Sequence, residues 1–293
     1  MSKTILITGA STGFGRDTAE TLSRAGHTVF ASMRDIEGRN REHAKALRER
    51  GIQVVELDVT NDESVDRAVE SVIARAGRID VVVNNAGIMA IGVTEAFSAD
   101  QAKVMLNTNV VGPLRVSRAV LPHMREQGDG LIINIGSIVG RVVFPFFGTY
   151  GASKFALEAL TDSLRYELSQ LGIDVVLVQP SAYATPLLGK IQQPADVDRA
   201  AAYGTVGEIP SAMIQQFQAM LTGANAPNPH DVAEAIGKLV AQPTGEHPER
   251  VVVGASFGAD TLNAYAADVQ KQVIAALGLG HLATRVALPT TGT

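Results

Sequence analysis

The stretch ITGASTGFGRDTAETL, residues 7–22, decides the fold. It places Gly9, Gly13 and Gly15 between a short β-branched run and a sequence with helical periodicity. Glycine permits a tight turn and a close approach of the backbone to a bound group, and the first turn of the following helix offers free N–H groups to an anion. The pattern predicts a strand, a phosphate-binding turn and a helix, and an ordinary strand-to-helix turn is the alternative.

The composition is typical of a globular protein, with 46% hydrophobic and 19% charged residues among 293. The formal net charge of -5 argues against nucleic acid or an anionic membrane as the main partner, and the absence of cysteine excludes disulfides and thiol catalysis. The histidines are scattered without H-x-H or H-E-x-x-H spacing, so no metal site is predicted. No signal-peptide pattern and no long apolar span occur, so we expect a soluble, cytoplasmic protein.

Strand-like and helix-like stretches alternate along most of the chain. The strand-like runs are mostly continuous apolar stretches, as expected of strands covered on both faces, and they lie at 4–8, 27–33, 52–58, 79–85, 130–136, 173–179 and 250–255. Helix patterns lie near 14–25, 38–50, 62–76, 100–127, 151–171, 230–242 and 259–277. This alternation predicts an α/β fold, a doubly wound parallel sheet of about seven strands with helices on both faces.

The alternation fails at about 185–229, where Pro, Gly and short amphipathic pieces give no convincing strand. We interpret this segment as an irregular lobe over a site, within one domain spanning 1–293 that ends in a helical extension at about 259–293. Asp58 ends the third strand and NNAG (84–87) ends the fourth, where open α/β sheets bind ligands. A helix N-cap and a plain turn are the alternatives for these two features.

In its order and spacing of short motifs, the sequence resembles the short-chain dehydrogenase/reductase family in its compact, classical form. The resemblance covers residues 3 to about 185, more weakly to 255, and rests on TGASTGFG, LDVT, NNAG, NTNVVG, the GS at 136–137 and YGASK at 150–154. It implies a Rossmann-type fold, a nicotinamide cofactor, interconversion of a carbonyl with an alcohol, and a homo-oligomer, a dimer or tetramer. Helix 151–171 carries apolar residues on more than one side, which suits either a subunit interface or local packing.

The family's catalytic pattern Y-x-x-x-K is matched by Tyr150 and Lys154, whose spacing puts both side chains on one helix face. Hydride delivery to a ketone builds negative charge on oxygen, which needs a hydrogen-bond donor and then a proton. A phenol can give that proton, and a nearby ammonium favours the phenolate. Ser137 would donate to the substrate oxygen, and Asn109 matches the family's fourth catalytic residue, which holds a water in a proton relay.

The resemblance also implies the cofactor contacts. They are Gly9, Ser11, Gly13, Phe14, Gly15, Met33, Arg34, Asp58, Val59, Asn85, Ala86, Gly87, Tyr150, Lys154, Pro180, Ser181 and Thr185. Met33 and Arg34 stand where NAD-type sites place an acidic residue, which favours NADP(H), whereas a two-residue shift would give Asp35 the NAD role. In PSAYAT, Pro180 and Thr185 match the family's P-G-x-x-x-T, but Ser181 replaces the glycine.

Apolar and aromatic residues near the catalytic pair and in the lobe are candidates for the substrate pocket. With Ser137 and Tyr150 they are Phe144, Phe147, Tyr183, Leu187 and Leu188, joined by Phe146, Met213 and Phe217, although packing is an alternative for several. Such a lining predicts a hydrophobic, bulky ketone or secondary alcohol. A catalytically silent NADP(H)-sensing protein and a lyase or epimerase on the same scaffold are the alternative functions.

Overall fold

The computed structural model describes residues 2–285 of the chain. The end of the predicted C-terminal extension, 286–293, therefore lies outside the described residues. None of the helices within 2–285 combines the length and the apolar character needed to cross a membrane.

Seven parallel strands form one sheet, which confirms the predicted fold class. The strands are β1 (Thr4–Ile7), β2 (Thr28–Met33), β3 (Gln53–Glu56), β4 (Val81–Asn84), β5 (Gly130–Ile135), β6 (Ile173–Pro180) and β7 (Arg250–Val253). Their spatial order is β3-β2-β1-β4-β5-β6-β7, so the direction of winding reverses between β1 and β4. A crevice forms outside the carboxyl ends of the strands at such a reversal, and ligands bind there.

Ten helices connect or follow these strands in the described part of the chain. They are α1 (Gly13–Arg24), α2 (Arg41–Arg48), α3 (Asp62–Ala76), α4 (Ala99–Leu106), α5 (Gly112–Gln127), α6 (Gly148–Leu168), α7 (Val197–Ala201), α8 (Thr205–Thr222), α9 (His230–Ala241) and α10 (Ala259–Ala276). Buried residues of α1, α2 and α9 cover one face of the sheet, and buried residues of α3, α5 and α6 cover the other.

The alternating side chains of β1 show why the strands read as continuous apolar runs. Ile5 and Ile7 belong to the core on one face of the sheet, and Leu6 belongs to the core on the opposite face. All three are fully buried. Because successive strand side chains point to opposite faces, a sheet covered on both sides requires apolar residues at every position.

Two helical segments differ from the prediction. The single helix expected over 100–127 is two helices, α4 and α5, separated by a wider π-helical turn over Asn107–Val111. The predicted irregular lobe at 185–229 contains α7 and the 18-residue helix α8. Pro210 lies inside α8 and is buried, so its packing outweighs the backbone hydrogen bond that a proline forfeits.

The glycine turn after β1 lies against the chain that follows β4. A Cβ atom on Gly9 would stand 2.8 Å from the Cα of Ala86, and one on Gly15 would stand 2.4 Å from Nδ2 of Asn85. Real Cβ contacts are not this short, so these glycines allow two neighbouring strand ends to approach each other. The approach shapes the ligand crevice at the reversal point.

We expect Gly15→Ala to lower the free energy of unfolding by about 1–3 kcal/mol, the range for overpacking a tight site. The added methyl group would collide with Nδ2 of Asn85 and with the carbonyl oxygen of Gly9, 2.6 Å away. Urea unfolding of the purified variant measures the change.

The matched control is Gly237→Ala in α9, where an added Cβ meets no atom within 4 Å. Alanine is the better helix former, so this variant should be neutral or slightly stabilised. Equal stabilities of the two variants would contradict the close approach at Gly15.

Candidate active site

A cavity of about 730 Å³ opens at the carboxyl ends of the strands. Its walls come from the glycine turn, the segments after β2 to β7, and helix α8. Of the residues predicted to form the site, all line this cavity except Gly15, Asn109 and two of the pocket candidates, Phe146 and Met213. Residues scattered along the chain from Gly9 to Leu188 therefore meet in one place.

The glycine turn supplies open backbone amides at one end of the cavity. Helix α1 begins at Gly13, and the side chain of Thr12, its N-cap residue, makes no capping hydrogen bond. The first amides of α1 thus have no side-chain acceptor, and a helix N-terminus of this kind suits the pyrophosphate of a dinucleotide. The residues present fit such a group.

Asn85 holds this turn in place. Its Nδ2 donates to the carbonyl oxygens of Thr8 (2.9 Å) and Gly9 (3.1 Å). The hydroxyl of Thr8 in return accepts the backbone N–H groups of Asn85 and Ala86, each at 3.0 Å. The amide side chain of Asn85 is therefore engaged in shaping the turn, and Gly15 packs behind it without lining the cavity.

The catalytic candidates Ser137 and Tyr150 line the same part of the cavity. Ser137 follows β5 in an extended conformation, and its Oγ donates to the carbonyl oxygen of Pro180 (3.4 Å) and accepts the N–H of Val139 (3.3 Å). Tyr150 lies near the start of α6, which begins three residues before the predicted helix. Burial raises the pKa of Tyr150 to about 12, although a hydrogen bond with Ser137 acts to lower it.

Lys154 lies one helical turn beyond Tyr150 and is buried, with 7% of its surface exposed. Its Nζ donates to the carbonyl oxygen of Ile135 (2.8 Å) and lies 5.7 Å from the centroid of the Tyr150 ring. Burial lowers the pKa of Lys154 to about 8, and the negative charge of Glu158 acts in the opposite direction. A buried phenol and a buried ammonium thus adjoin each other at the cavity wall.

Asn109 lies behind this wall and is almost fully buried. It sits in the π-helical turn between α4 and α5, a distortion that is frequent at functional sites. Its side chain exchanges two hydrogen bonds of 2.9 Å with the backbone of Ile88 and donates to the hydroxyl of Ser153 at 3.0 Å. These contacts orient the amide toward the residues around Tyr150 without placing it on the cavity surface.

Arginine side chains line the opposite end of the cavity, beyond the glycine turn. Arg34, Arg39 and Asn40 are all part of the wall, and the last two were not among the predicted site residues because they read as the start of a helix. Nη1 of Arg34 lies 3.6 Å from Oδ2 of Asp58. Partial burial acts to raise the pKa of Asp58, but hydrogen bonds from Thr60 and the charge of Arg34 outweigh it, so the pKa is lowered.

Asp35, the alternative acidic residue, does not line the cavity. Its backbone adopts a left-handed conformation (φ 51°), and its Oδ2 accepts the N–H of Arg39 at 3.0 Å. Its carboxylate therefore stabilises the turn that leads into α2. The left-handed conformation, which sequence reasoning did not foresee, turns this side chain away from the cavity wall.

The remaining wall of the cavity is apolar and aromatic. Phe144, Phe147, Phe217 and Phe257 form edge-to-face pairs, with ring centroids 5.8 to 6.2 Å apart. Further apolar residues that the sequence did not indicate include Ile88, Met89, Met220, Leu221 and Phe257. Of the candidates in the predicted pocket, Phe146 and Met213 pack nearby but do not line the cavity.

Tyr183 both lines the cavity, as predicted for a pocket residue, and packs against neighbouring side chains, which was the alternative. Its ring lines the cavity and packs edge-on against Phe14, with centroids 5.7 Å apart. Its hydroxyl donates to Oδ2 of Asp231 at 3.3 Å. Burial raises the pKa of Tyr183 to about 12, and the charge of Asp231 adds to the rise.

The strand order, the open helix N-terminus and the buried tyrosine–lysine pair define a Rossmann-like α/β enzyme. The sequence profile described as "short chain dehydrogenase" matches residues 3–196. The chain belongs to this family and is an oxidoreductase of the short-chain dehydrogenase/reductase type.

Curated relatives carry reductase and dehydrogenase names. A 3-ketodihydrosphingosine reductase of Bacteroides thetaiotaomicron is 41% identical over 181 residues, which cover 62% of this chain and 64% of the relative. Retinol dehydrogenase 8 of Homo sapiens is 34% identical over 251 residues, covering 82% of this chain and 78% of the relative. The chain thus spans less than two thirds of the first relative's length and more of the second.

Solved structures of similar proteins share the fold over nearly the whole chain. A short-chain dehydrogenase from Streptomyces avermitilis has a TM-score of 0.75 and 31% identity, covering 96% of this chain and 98% of its own. A variant of an actinorhodin polyketide ketoreductase with NADPH has a TM-score of 0.72 and 29% identity, and the match covers 88% of this chain and 97% of its own. A 3-ketoacyl-(acyl-carrier-protein) reductase from Brucella melitensis complexed with NADH has a TM-score of 0.70 and 26% identity, and the match covers 86% of this chain and 95% of its own. Similar structures thus hold either form of the nicotinamide cofactor.

We expect the stability of the protein to depend on pH through Lys154. Because burial lowers its pKa from an ordinary 10.5 to about 8, the unfolded chain binds more protons between these values, and stability rises with pH. From pH 7 to 9.5, the wild type should gain about 2 kcal/mol of unfolding free energy relative to Lys154→Met. Urea unfolding at the two pH values measures the difference.

The control is Lys271→Met, because the side chain of Lys271 is 72% exposed in α10. Its stability should change with pH in parallel with that of the wild type. A Lys154→Met variant that also follows the wild type in parallel would show that the lysine is not buried in its charged form.

Proposed function

We propose that this protein is an NADP(H)-dependent oxidoreductase that interconverts a hydrophobic, bulky ketone and its secondary alcohol. The proposal rests mainly on the buried pair of Tyr150 and Lys154 beside Ser137, at an apolar cavity that also includes an open helix N-terminus. The nicotinamide, when bound, gives or accepts the hydride. The protein's own residues handle the proton and the charge on oxygen.

Tyr150 acts as the general acid in ketone reduction. Its raised pKa keeps the phenol protonated at neutral pH, so a proton is available for the oxygen that gains negative charge. Ser137 stands on the same wall and donates a hydrogen bond to that oxygen, which orients the carbonyl. The ammonium of Lys154 stabilises the phenolate that remains, and Asn109 takes part in the relay that restores the proton.

For the cofactor, the side chains at the ribose end favour NADP(H). Arg34 and Arg39 line the wall there, whereas Asp35 points into its own turn and does not line the cavity. A guanidinium matches a 2′-phosphate, while an acidic side chain would be needed to accept the 2′-hydroxyl of NAD. The amides at the start of α1 hold the pyrophosphate, and Asp58, Val59, Gly87, Ser181 and Thr185 complete the cofactor wall.

For the substrate, the aromatic wall favours a bulky apolar carbonyl compound. The rings of Phe144, Phe147 and Phe217 offer apolar surface close to Tyr150, whose ring centroid lies 6.4 Å from that of Phe147. Leu187 and Leu188 add to this wall. Among the residues of the lobe at 185–229 that line the cavity, Lys190 carries the positive charge. The names of the sphingosine and retinol relatives support the same substrate class, because both compounds have a long apolar part.

A homo-oligomer is part of the proposal. Phe155 on α6 remains 39% exposed, and Val104 and Leu106 of α4 are 51% and 41% exposed. Large apolar side chains at the surface of neighbouring helices support a subunit interface, because a second copy would remove them from water.

We expect Tyr150→Phe to lower the turnover of ketone reduction by roughly 10²–10⁴, the scale for loss of a general acid. The measurement is NADPH absorbance with a panel of bulky apolar ketones, such as polycyclic and long-chain ketones. Tyr265→Phe, at a 71% exposed position on α10, should keep normal turnover. Near-normal turnover of Tyr150→Phe would refute the mechanism, and no turnover of the wild type with any ketone would refute the reductase.

We expect Arg34→Ser to lower kcat/KM for NADPH by about 10–100-fold and to leave the value for NADH nearly unchanged, because a charge-assisted contact contributes about 1.5–3 kcal/mol. Arg24→Ser, at the end of α1 and outside the cavity wall, is the control and should alter neither value. A wild-type preference of tenfold or more for NADH would overturn the cofactor assignment.

A further inference from the structure

A third ionisable side chain lies on the same side of α6 as the catalytic pair. Tyr150, Lys154 and Glu158 follow one another at intervals of four residues, so they occupy successive turns of the helix. The side chain of Glu158 is only 4% exposed. A buried carboxylate is rare unless it is paired, so this one needs a physical account.

Two arginines compensate the charge of Glu158. Its Oε2 lies 2.9 Å from Nε of Arg141, which follows β5, and 3.1 Å from Nε of Arg250 in β7. Its Oε1 accepts a hydrogen bond from the side-chain amide of Gln179 in β6. Three segments around α6 therefore converge on one carboxylate behind the cavity wall.

The surroundings of this cluster contain further carboxylates. Asp162, one turn beyond Glu158, pairs with Arg250 and lies 3.8 Å from Nη2 of Arg141. Glu249 lies 3.5 Å from Nη1 of Arg250. Gln179 is itself held by α10, because the side-chain amide of Asn263 donates to Oε1 of Gln179 at 2.7 Å. Each arginine contacts more than one carboxylate, so neither of them neutralises the charge of Glu158 alone.

Lys154, on the turn before, has much weaker support for its charge. Its one protein hydrogen-bond acceptor within residues 2–285 is the carbonyl oxygen of Ile135, and the nearby ionisable groups on its own helix are Tyr150 and Glu158. A neutral carbonyl does not compensate the cost of burying an ammonium. Glu158 is the group whose negative charge favours the protonated lysine.

We propose that Glu158 is a positioning residue that keeps the ammonium of Lys154 charged inside the protein, with Arg141 and Arg250 holding its carboxylate in place. The inference deepens the proposed function and rests on the role given there to Lys154. Burial raises the pKa of the Glu158 carboxyl, and the two arginines limit the rise. The cluster thus sets the upper pH at which Lys154 can support Tyr150.

The test is a direct titration of Lys154, which needs neither substrate nor turnover. The full-length protein is labelled with lysine that carries ¹³C at Cε, and the Lys154 resonance is assigned by its loss in Lys154→Arg. Glu158→Gln keeps the shape of the side chain but removes its charge. We expect the titration midpoint of Lys154 to fall by about one pH unit, the size expected for one charge several ångströms away at an intermediate dielectric.

Two variants test whether charge and proximity cause the shift. Glu158→Asp retains the carboxylate and should restore most of the midpoint. Asp162→Asn removes the same charge from the same arginine cluster one turn farther from Lys154. The titration midpoint of Lys154 should therefore move clearly less in Asp162→Asn than in Glu158→Gln. An unmoved midpoint in Glu158→Gln, or equal shifts in Glu158→Gln and Asp162→Asn, would overturn the proposal.

If Glu158→Gln does not fold, as judged by circular dichroism, Arg141→Gln tests the same coupling from the other side. Arg141 is 18% exposed, and its removal leaves Glu158 less compensated, so the midpoint of Lys154 should rise. A lowered or unchanged midpoint would overturn the proposal.

The pH dependence of NADPH-linked ketone reduction separates this inference from the proposed function. If both hold, the decline of turnover at alkaline pH moves to lower pH in Glu158→Gln together with the lysine titration. If the titration moves but the decline does not, Glu158 acts on Lys154 as inferred, and the catalytic role given to Lys154 fails.

Discussion

The close contact between the glycine turn after β1 and the chain after β4 is the constraint on which the site depends. β1 and β4 are neighbours at the point where the sheet reverses its winding, so everything that binds in the crevice lies against their ends. Gly9 and Gly15 allow the approach because neither carries a Cβ, and Asn85 locks it with hydrogen bonds to two carbonyl oxygens. The contact thereby places the start of α1 at the same cavity as the predicted catalytic residues.

The second constraint is the cost of burying charge beside the cavity. A lysine that is out of water loses its proton more easily, and a tyrosine out of water holds its proton more firmly. The two shifts move the pKa values of Lys154 and Tyr150 apart, to about 8 and about 12. The pair therefore combines a protonated phenol with an ammonium near neutral pH, which suits proton delivery to a developing oxyanion.

Some features of the fold and site could be predicted because they depend on local periodicity and motif spacing. The seven strands are recognisable as short apolar runs, and the residues that follow them must meet at the carboxyl edge of a parallel sheet. Other features could not be predicted. The helix α8 runs through Gly207 and Pro210, two residues that disfavour a helix interior, so local propensity did not indicate a continuous helix there. Phe257 joins the cavity wall from beyond β7, and no sequence pattern links it to Phe144.

The sequence by itself determined the sheet, the family and the set of polar residues at the strand ends, because hydrophobic periodicity and residue spacing act along the chain. Only the tertiary structure decided which of these side chains reach the cavity. The carboxylate of Asp35 bonds to the turn before α2 and does not line the cavity, whereas Arg39 does. Asn109 lies behind the cavity wall and not on its surface. The tertiary structure also brought Arg141 and Arg250 to Glu158 behind Lys154, since ion pairs between distant segments form only after the sheet has folded.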